Sequence, residues 1–368
     1  MDFELSEEQA MIRDTVAAFA REEIRPSARI ADESGEIPAE LIMRSSQLSL
    51  TRGWLPEKFG GEGNERSAIT GAIIAEELAF GDLATSIHLM APRLVAFPVL
   101  EMGSDEQRNR HLRRFASPDF VSAAAALIEP AHDFDLLSLK TTGRRDGRGY
   151  VLDGIKCLVP LANESEELLI YASIADEPDL SGTAGFLVNR ATPGLSISER
   201  EKNMGLKGLA TYEVTLTQCR VGSDRRLGGE GAINFGRIAS QCKVATVSMA
   251  TGLARAAFEY ARDYARERKA FGVPIASKQA IAFMLADMAI ETDAMRLLGW
   301  EAAWRLDRGE CAFNESSLAK QYASAAALKV ADNAVQILGG HGYIRDHPVE
   351  LWLRNARAIA IGDALAIV

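Results

Sequence analysis

The chain has no closely spaced cysteines, few histidines and no excess of positive charge, and each shortage removes a class of function. The four cysteines, Cys157, Cys219, Cys242 and Cys311, lie far apart with no Cys-x-x-Cys spacing. Buried free thiols in a reducing cytoplasm are expected, not a disulfide scaffold. The five histidines show no metal-ligand spacing, so no metal is expected. A net charge of -10 argues against nucleic acid or an anionic membrane as the main partner. No apolar run reads as reaching the ~20 residues that span a bilayer. The opening MDFELSEEQ is acidic, unlike a secretory leader. What remains is globular: 47% of residues are hydrophobic and 25% charged. A chain of 368 residues is too long for one small core and predicts two or three units.

Three zones follow one another. Residues 1–118 read helical, with Met11, Val16, Phe19 and Ile24 near helical spacing. Breaks are expected at Pro26, Pro38 and the turn from Leu55 to Gly63, and further helices over 69–79 and after Asp82. Residues 119–222 change grammar to short apolar runs between turn residues, with Asp153-Gly154 as a hairpin signal. A compact antiparallel barrel or sandwich is expected there. Residues 229–368 return to alanine-rich helix, over about 233–268, 278–307, 315–338 and 348–359. Helices this long and apolar predict a four-helix bundle with a face shared by another subunit. The fold class is α+β: an N-terminal helical domain, a middle antiparallel β-barrel-like domain and a C-terminal four-helix bundle.

Two segments carry chemistry. In Arg266 to Met288, Arg268 and Lys269 at a helix end suit a phosphate or carboxylate, Phe271 offers an aromatic face, and Gln279 can read an amide or base edge. The plainer reading is a solvated basic helix end. In Gln336 to Glu350, Gly339 and Gly340 let a backbone approach a ligand closely and expose amide donors. The plainer reading there is a glycine helix cap.

Taken together, RERKAFGVPI…Q…F…LADM, QILGGHGY and HPVE…RNAR resemble the acyl-CoA dehydrogenases. MDFELSEEQ, GWLPEKFGGEG, NMGLKGLATYEVTLTQCRV and LGGEGAINF extend the resemblance over nearly the whole chain. It implies a carboxylate that removes the α-proton of an acyl-CoA thioester while the β-hydrogen leaves as hydride to FAD. Electrons would then pass to an electron-transfer flavoprotein or similar acceptor. The family binds FAD at a junction between the β-domain and helices of two subunits, so no GxGxxG is needed. The resemblance implies that Arg268, Phe271, Gln336 and Gly340 face the flavin of a neighbouring subunit, with Gln279 and Gly339 as further cofactor-binding candidates. It also implies a tetramer.

The half-site for the chain's own flavin departs from the family. Where the family reads close to T-E-P-x-A-G-S-D, residues 128–135 read IEPAHDFD, and where it reads K-x-W-I-T-N, residues 156–161 read KCLVPL. A threonine is thus Ile128, a glycine-serine pair is Asp133-Phe134, a tryptophan is Leu158, and a second threonine is Pro160, which also deletes a backbone donor. Asp363 stands where the family has its catalytic glutamate, flanked by Gly362 and Ala364. One methylene fewer sets its carboxylate back by ~1 Å, a displacement that can cost on the order of 10²-fold. Some branches carry the base on an early bundle helix, but that stretch here, Ser240 to Lys243, has no carboxylate. The terminal segment that helps wrap FAD is not expected after Val368. Lys243 is a candidate contact for the nucleotide of CoA, with a solvated lysine as the alternative.

Three functions are therefore expected in competition. One is an active dehydrogenase with Asp363 as base. The second is a flavin-deficient subunit that completes the FAD site of a homologous sister subunit, by analogy with heteromeric relatives acting on bulky thioesters such as steroid side chains. The third, least favoured, is a flavin-dependent oxygenase on the same fold.

Overall fold

The structure is a computed structural model describing residues 4–174, 182–231 and 233–368. Ser6 opens the first helix with a capping box, accepting from the Gln9 amide while the Gln9 side chain returns to the Ser6 N–H. Helix α1 (Glu7–Phe19) continues through a π-turn (Ala20–Ile24) into α2 (Arg25–Ser34). Pro26 is therefore not the expected break. It lies in the first turn of α2, where a missing N–H costs little. The short α3 (Ala39–Ser45) follows Pro38, and α4 (Ala68–Gly81) is buried along almost its whole length. Asp82 caps α5 (Leu83–Met90) by accepting from the Thr85 N–H at 2.8 Å; α6 (Arg93–Met102) and α7 (Asp105–His111) complete the zone.

The segment Leu83–Met102 corrects the expectation about apolar runs. It is long and apolar enough to cross a bilayer, with mean hydropathy 1.4 in its most apolar window. That window is 89% buried inside the protein, and the segment turns at Ala91-Pro92 between two helices.

The middle zone holds β1 (Ala124–Ala126), β2 (Thr142–Asp146), β3 (Gly149–Pro160), β4 (Glu167–Ile174), β5 (Thr183–Asn189), β6 (Leu195–Arg200) and β7 (Thr211–Gly222). They form one sheet in the order β1-β4-β2-β3-β7-β6, with β5 also pairing β4. The sheet is mixed, not wholly antiparallel, because β1 and β2 both run parallel to β4. The hairpin falls at Gly147-Arg148, between β2 and β3. Asp153-Gly154 is instead a bulge inside β3, where a Cβ on Gly154 would stand 2.5 Å from the Thr141 hydroxyl.

The last zone contains α8 (Phe235–Glu267), a two-residue hairpin of β8 (Lys269–Ala270) and β9 (Val273–Pro274), α9 (Gln279–Asp307), α10 (Phe313–Leu338), α11 (Gly340–Tyr343) and α12 (Val349–Ile359). Buried alanines such as Ala254, Ala257, Ala323 and Ala327 let α8 and α10 approach closely. The first zone packs on the bundle in one shared core that includes Leu78, Leu83, Val247 and Val330. Arg255 and Arg296 seal that seam by pairing with Glu77 and Glu76 of α4 at 2.5 and 2.9 Å. The sheet keeps its own core around Leu152, Phe186 and Val214. A third cluster, including Phe97, Tyr171, Phe235 and Cys242, joins all three zones. All four cysteines are free thiols. Cys219 and Cys242 are buried as expected, but Cys311 is exposed.

Candidate functional site

The residues expected to meet a neighbour's flavin lie where two long helices end. Helix α8 closes on Arg268, whose N–H donates to the Tyr264 carbonyl at 2.8 Å, leaving the guanidinium exposed. Helix α10 closes on Gly339, in the left-handed half of conformational space at φ 58°. A Cβ added to Gly339 or Gly340 would meet nothing within 4 Å, so the chain there borders open space. Arg268 and Gly340 share a cavity of about 330 Å³ with Tyr264, Ile275 and His341. An exposed guanidinium beside a glycine-walled opening suits an anionic group approaching the backbone.

The other expected residues are not part of that wall. Phe271 sits at the tip of the β8–β9 hairpin, 95% exposed. Gln279 is the first residue of α9 and Gln336 lies in the last turn of α10, both exposed. Tyr264 and His341 were not legible as site residues. The Tyr264 hydroxyl and His341 Nδ1 are 2.7 Å apart. The available signal was positional: Tyr264 is one helical turn before Arg268, and His341 interrupts the glycines of GGHG.

The segment expected to meet the chain's own flavin is firmly built, with apolar residues at most of its departed positions. Lys156 on β3 and Glu129 after β1 form a buried ion pair at 2.8 Å. Glu129 also accepts from the N–H groups of Lys140 and Thr141, at 2.7 and 2.8 Å, and Lys156 donates to the Leu127 carbonyl. Burial pulls the Lys156 ammonium down to about 8, although Glu129 opposes it. Burial also works against the charge of Glu129, but Lys156 and the hydrogen bonds hold its carboxyl below the usual range. This scaffold places Cys157 against Ile128 through an N–H···O bond of 2.9 Å. An irregularity between Lys156 and Val159, with Leu158 at φ 51°, turns Cys157 and Leu158 toward the helical core, where Phe134 also packs. A leucine in that left-handed conformation costs roughly 1 kcal/mol. Ile128, Phe134, Leu158 and Pro160 bring no side-chain donor or acceptor.

Asp363 follows α12 and is not a free carboxylate. Lys320 of α10 lies 2.9 Å from it and also donates to the Ala360 carbonyl at 2.9 Å. Lys243 is not solvated either. It is 7% exposed, donates to the Ser317 hydroxyl at 2.7 Å and lies 4.0 Å from the centre of the Phe313 ring. Burial lowers its pKa, with the charge of Asp363 working the other way. Lys243, Lys320, Asp363, Phe134 and Phe313 line a cavity of about 480 Å³. A second cavity, of about 660 Å³, meets it at Phe313 and is walled by Arg237, Ser240 and Cys311.

The early bundle helix comes to the same place. Thr246 of α8 donates to the Gly362 carbonyl at 3.0 Å. Cys242, one turn earlier, is buried, and its thiol is pushed up to about 12 by that burial with a contribution from Asp363. The two positions expected for a base therefore converge, and neither offers an unpaired carboxylate.

Residues 6–119, 124–219 and 230–363 match the N-terminal, middle and C-terminal domains of acyl-CoA dehydrogenase. The chain is 36% identical over 366 residues to an acyl-CoA dehydrogenase of Bacillus subtilis (strain 168), covering 97% of this chain and 94% of that protein. Among solved structures it resembles butyryl-CoA dehydrogenase from Megasphaera elsdenii with a TM-score of 0.88 at 27% identity, covering 99% of this chain and 96% of that one. The FAD complex of PigA superposes with a TM-score of 0.90 at 25% identity, over 99% of this chain and 96% of that one. The chain belongs to the flavin-dependent acyl-CoA dehydrogenase family, whose cofactor is FAD.

Proposed function

We propose that this chain is the partner subunit of an acyl-CoA dehydrogenase assembly, completing the FAD site of a homologous sister subunit. The supporting observation is an asymmetry between half-sites. Toward a neighbour the chain presents Arg268 and Gly340 around an open cavity, whereas toward its own flavin it presents the hydrocarbon of Ile128, Phe134, Leu158 and Pro160. Arg268 would hold a pyrophosphate by charge-assisted hydrogen bonds, and the Gly339-Gly340 backbone would let the dinucleotide approach. FAD, when bound, supplies the hydride acceptor for α,β-dehydrogenation of the acyl-CoA thioester.

In this chain the Asp363 carboxylate is already engaged by Lys320, 2.9 Å away, rather than left unpaired to meet a substrate proton. The sister subunit would therefore supply the working base, and the reduced assembly would pass electrons to an electron-transfer flavoprotein or similar acceptor. Phe283, Ile290 and Leu297 form an exposed stripe at seven-residue spacing along α9, which supports a subunit interface and a tetramer. The cytoplasm is the compartment we assign.

A second reading, with Asp363 active in its own chain, draws on the two cavities that meet beside it at Phe313. Flavin stoichiometry separates the two. The chain is purified alone and with its sister subunit, and flavin per chain is measured. About half a flavin per chain, found only in the mixed assembly, is expected. One FAD per chain in the isolated protein, bleached by an acyl-CoA, would overturn the proposal.

A further inference from the structure

The cavity that unites Arg268 with Gly340 has a polar wall that the sequence motifs do not account for. Tyr264 and His341 face it together, 2.7 Å apart through the tyrosine hydroxyl and Nδ1 of the imidazole. When Tyr264 donates to Nδ1, the neutral ring carries its proton on Nε2, and that N–H remains a donor. The ring is held from the other side as well. His347 stacks on His341 with centroids 5.5 Å apart and planes inclined by 16°. Tyr260 fixes His347 in turn, through its own 2.7 Å contact to Nδ1. Two tyrosines one turn apart on α8 thus position two stacked imidazoles, of which only His341 borders the cavity. Among the described residues no carboxylate pairs with the Arg268 guanidinium, so the wall offers donors without a resident anion.

We infer that His341 is a second donor to the phosphate end of the dinucleotide that Arg268 holds, and that Tyr264 is the positioning residue that sets its tautomer and orientation. The inference rests on the neighbour-facing half-site proposed above. It adds a neutral N–H to the arginine's charge, so an anion entering beside Gly340 is met from both helix ends: Arg268 from α8 and His341 from the segment after α10. The pair Tyr260 and His347 lies behind as support and takes no part in contact.

The test titrates FAD into the assembled protein and follows quenching of flavin fluorescence, with assembly size checked for every variant. His341→Ala should weaken FAD about fivefold, the worth of one neutral hydrogen bond. His341→Gln, whose amide nitrogen reaches where Nε2 lies, should recover most of that loss. Tyr264→Phe should weaken FAD two- to fivefold while the His341→Ala, Tyr264→Phe double variant is no worse than His341→Ala alone. Arg268→Ala is the control for the site itself and should weaken FAD tenfold or more. Full FAD affinity in His341→Ala, with a clear loss in Arg268→Ala, would overturn this inference and spare the half-site. Full affinity in both would overturn the half-site. Equal losses in His341→Ala and His341→Gln, with assembly intact, would also reject the donor role.

Discussion

Lys320 sets its ammonium 2.9 Å from the Asp363 carboxylate, tying α10 to the segment after α12 at the position expected for a base. Both side chains are mostly buried, so water does little to loosen the pair. Asp363→Ala should therefore leave turnover of the assembly nearly unchanged and lower stability by ~1 kcal/mol. Steady-state kinetics and urea unfolding measure the two effects. A hundredfold drop in turnover with normal flavin content would restore Asp363 as a base.

The Glu129–Lys156 pair is a different case, because neither partner has access to water. Removing one leaves the other charged or unsatisfied in the interior. Lys156→Met should cost on the order of 3 kcal/mol, read as a lower midpoint in chemical denaturation with the slope unchanged. A loss below 1 kcal/mol would mean that the sheet does not depend on this pair.

His88 on α5 makes stability sensitive to acid. It is half-buried against Phe120, with ring centroids 5.0 Å apart, and its buried Nε2 has no hydrogen-bond partner among the described residues. Burial lowers its pKa from 6.5 to about 4. Between those values the unfolded chain binds more protons than the native one, so stability falls as pH falls through that window. Below about 4 both states are protonated and this contribution is spent. The expected loss is ~3 kcal/mol, and His88→Phe should flatten the profile of unfolding free energy between pH 6.5 and 4. An unchanged slope would show that other groups govern acid unfolding.

Ile290 stands at the middle of the exposed apolar stripe on α9, seven residues from Phe283 and from Leu297. A charge placed there should be tolerated in the free chain but not in an apolar interface. Ile290→Lys should reduce the assembly to smaller species in analytical ultracentrifugation while leaving the helical circular dichroism unchanged. A species of unaltered size would move the interface elsewhere.

Much of the architecture was legible because helical periodicity and alanine content are local signals. The long helices α8, α9 and α10 lie within a few residues of their expected bounds, and the apolar runs around Ala124–Ala126 and Glu167–Ile174 are strands. Family motifs pointed to Arg268 and Gly340, which the structure brings to one cavity, because a helix end and a glycine pair are written in adjacent residues. Local signals failed where pairing decides. Asp153-Gly154 looks like a turn until β3 is seen to run through it, and Pro26 looks like a break until the preceding π-turn is seen to carry the helix past it. The parallel alignment of β1 and β2 with β4 had no signature in either strand.

By itself the sequence determined the three-zone order, the alanine-rich bundle and the apolar residues at 128, 134, 158 and 160, where the family resemblance expects hydroxyls and a tryptophan. These depend on residue type and spacing along the chain, which any fold must respect. Only the tertiary structure decided that Asp363 is paired with Lys320, that Lys243 is buried on Phe313, and that Tyr264 presents His341 beside Arg268. Each joins residues dozens of positions apart, and their contact is set by how the helices pack rather than by anything in their neighbouring sequence.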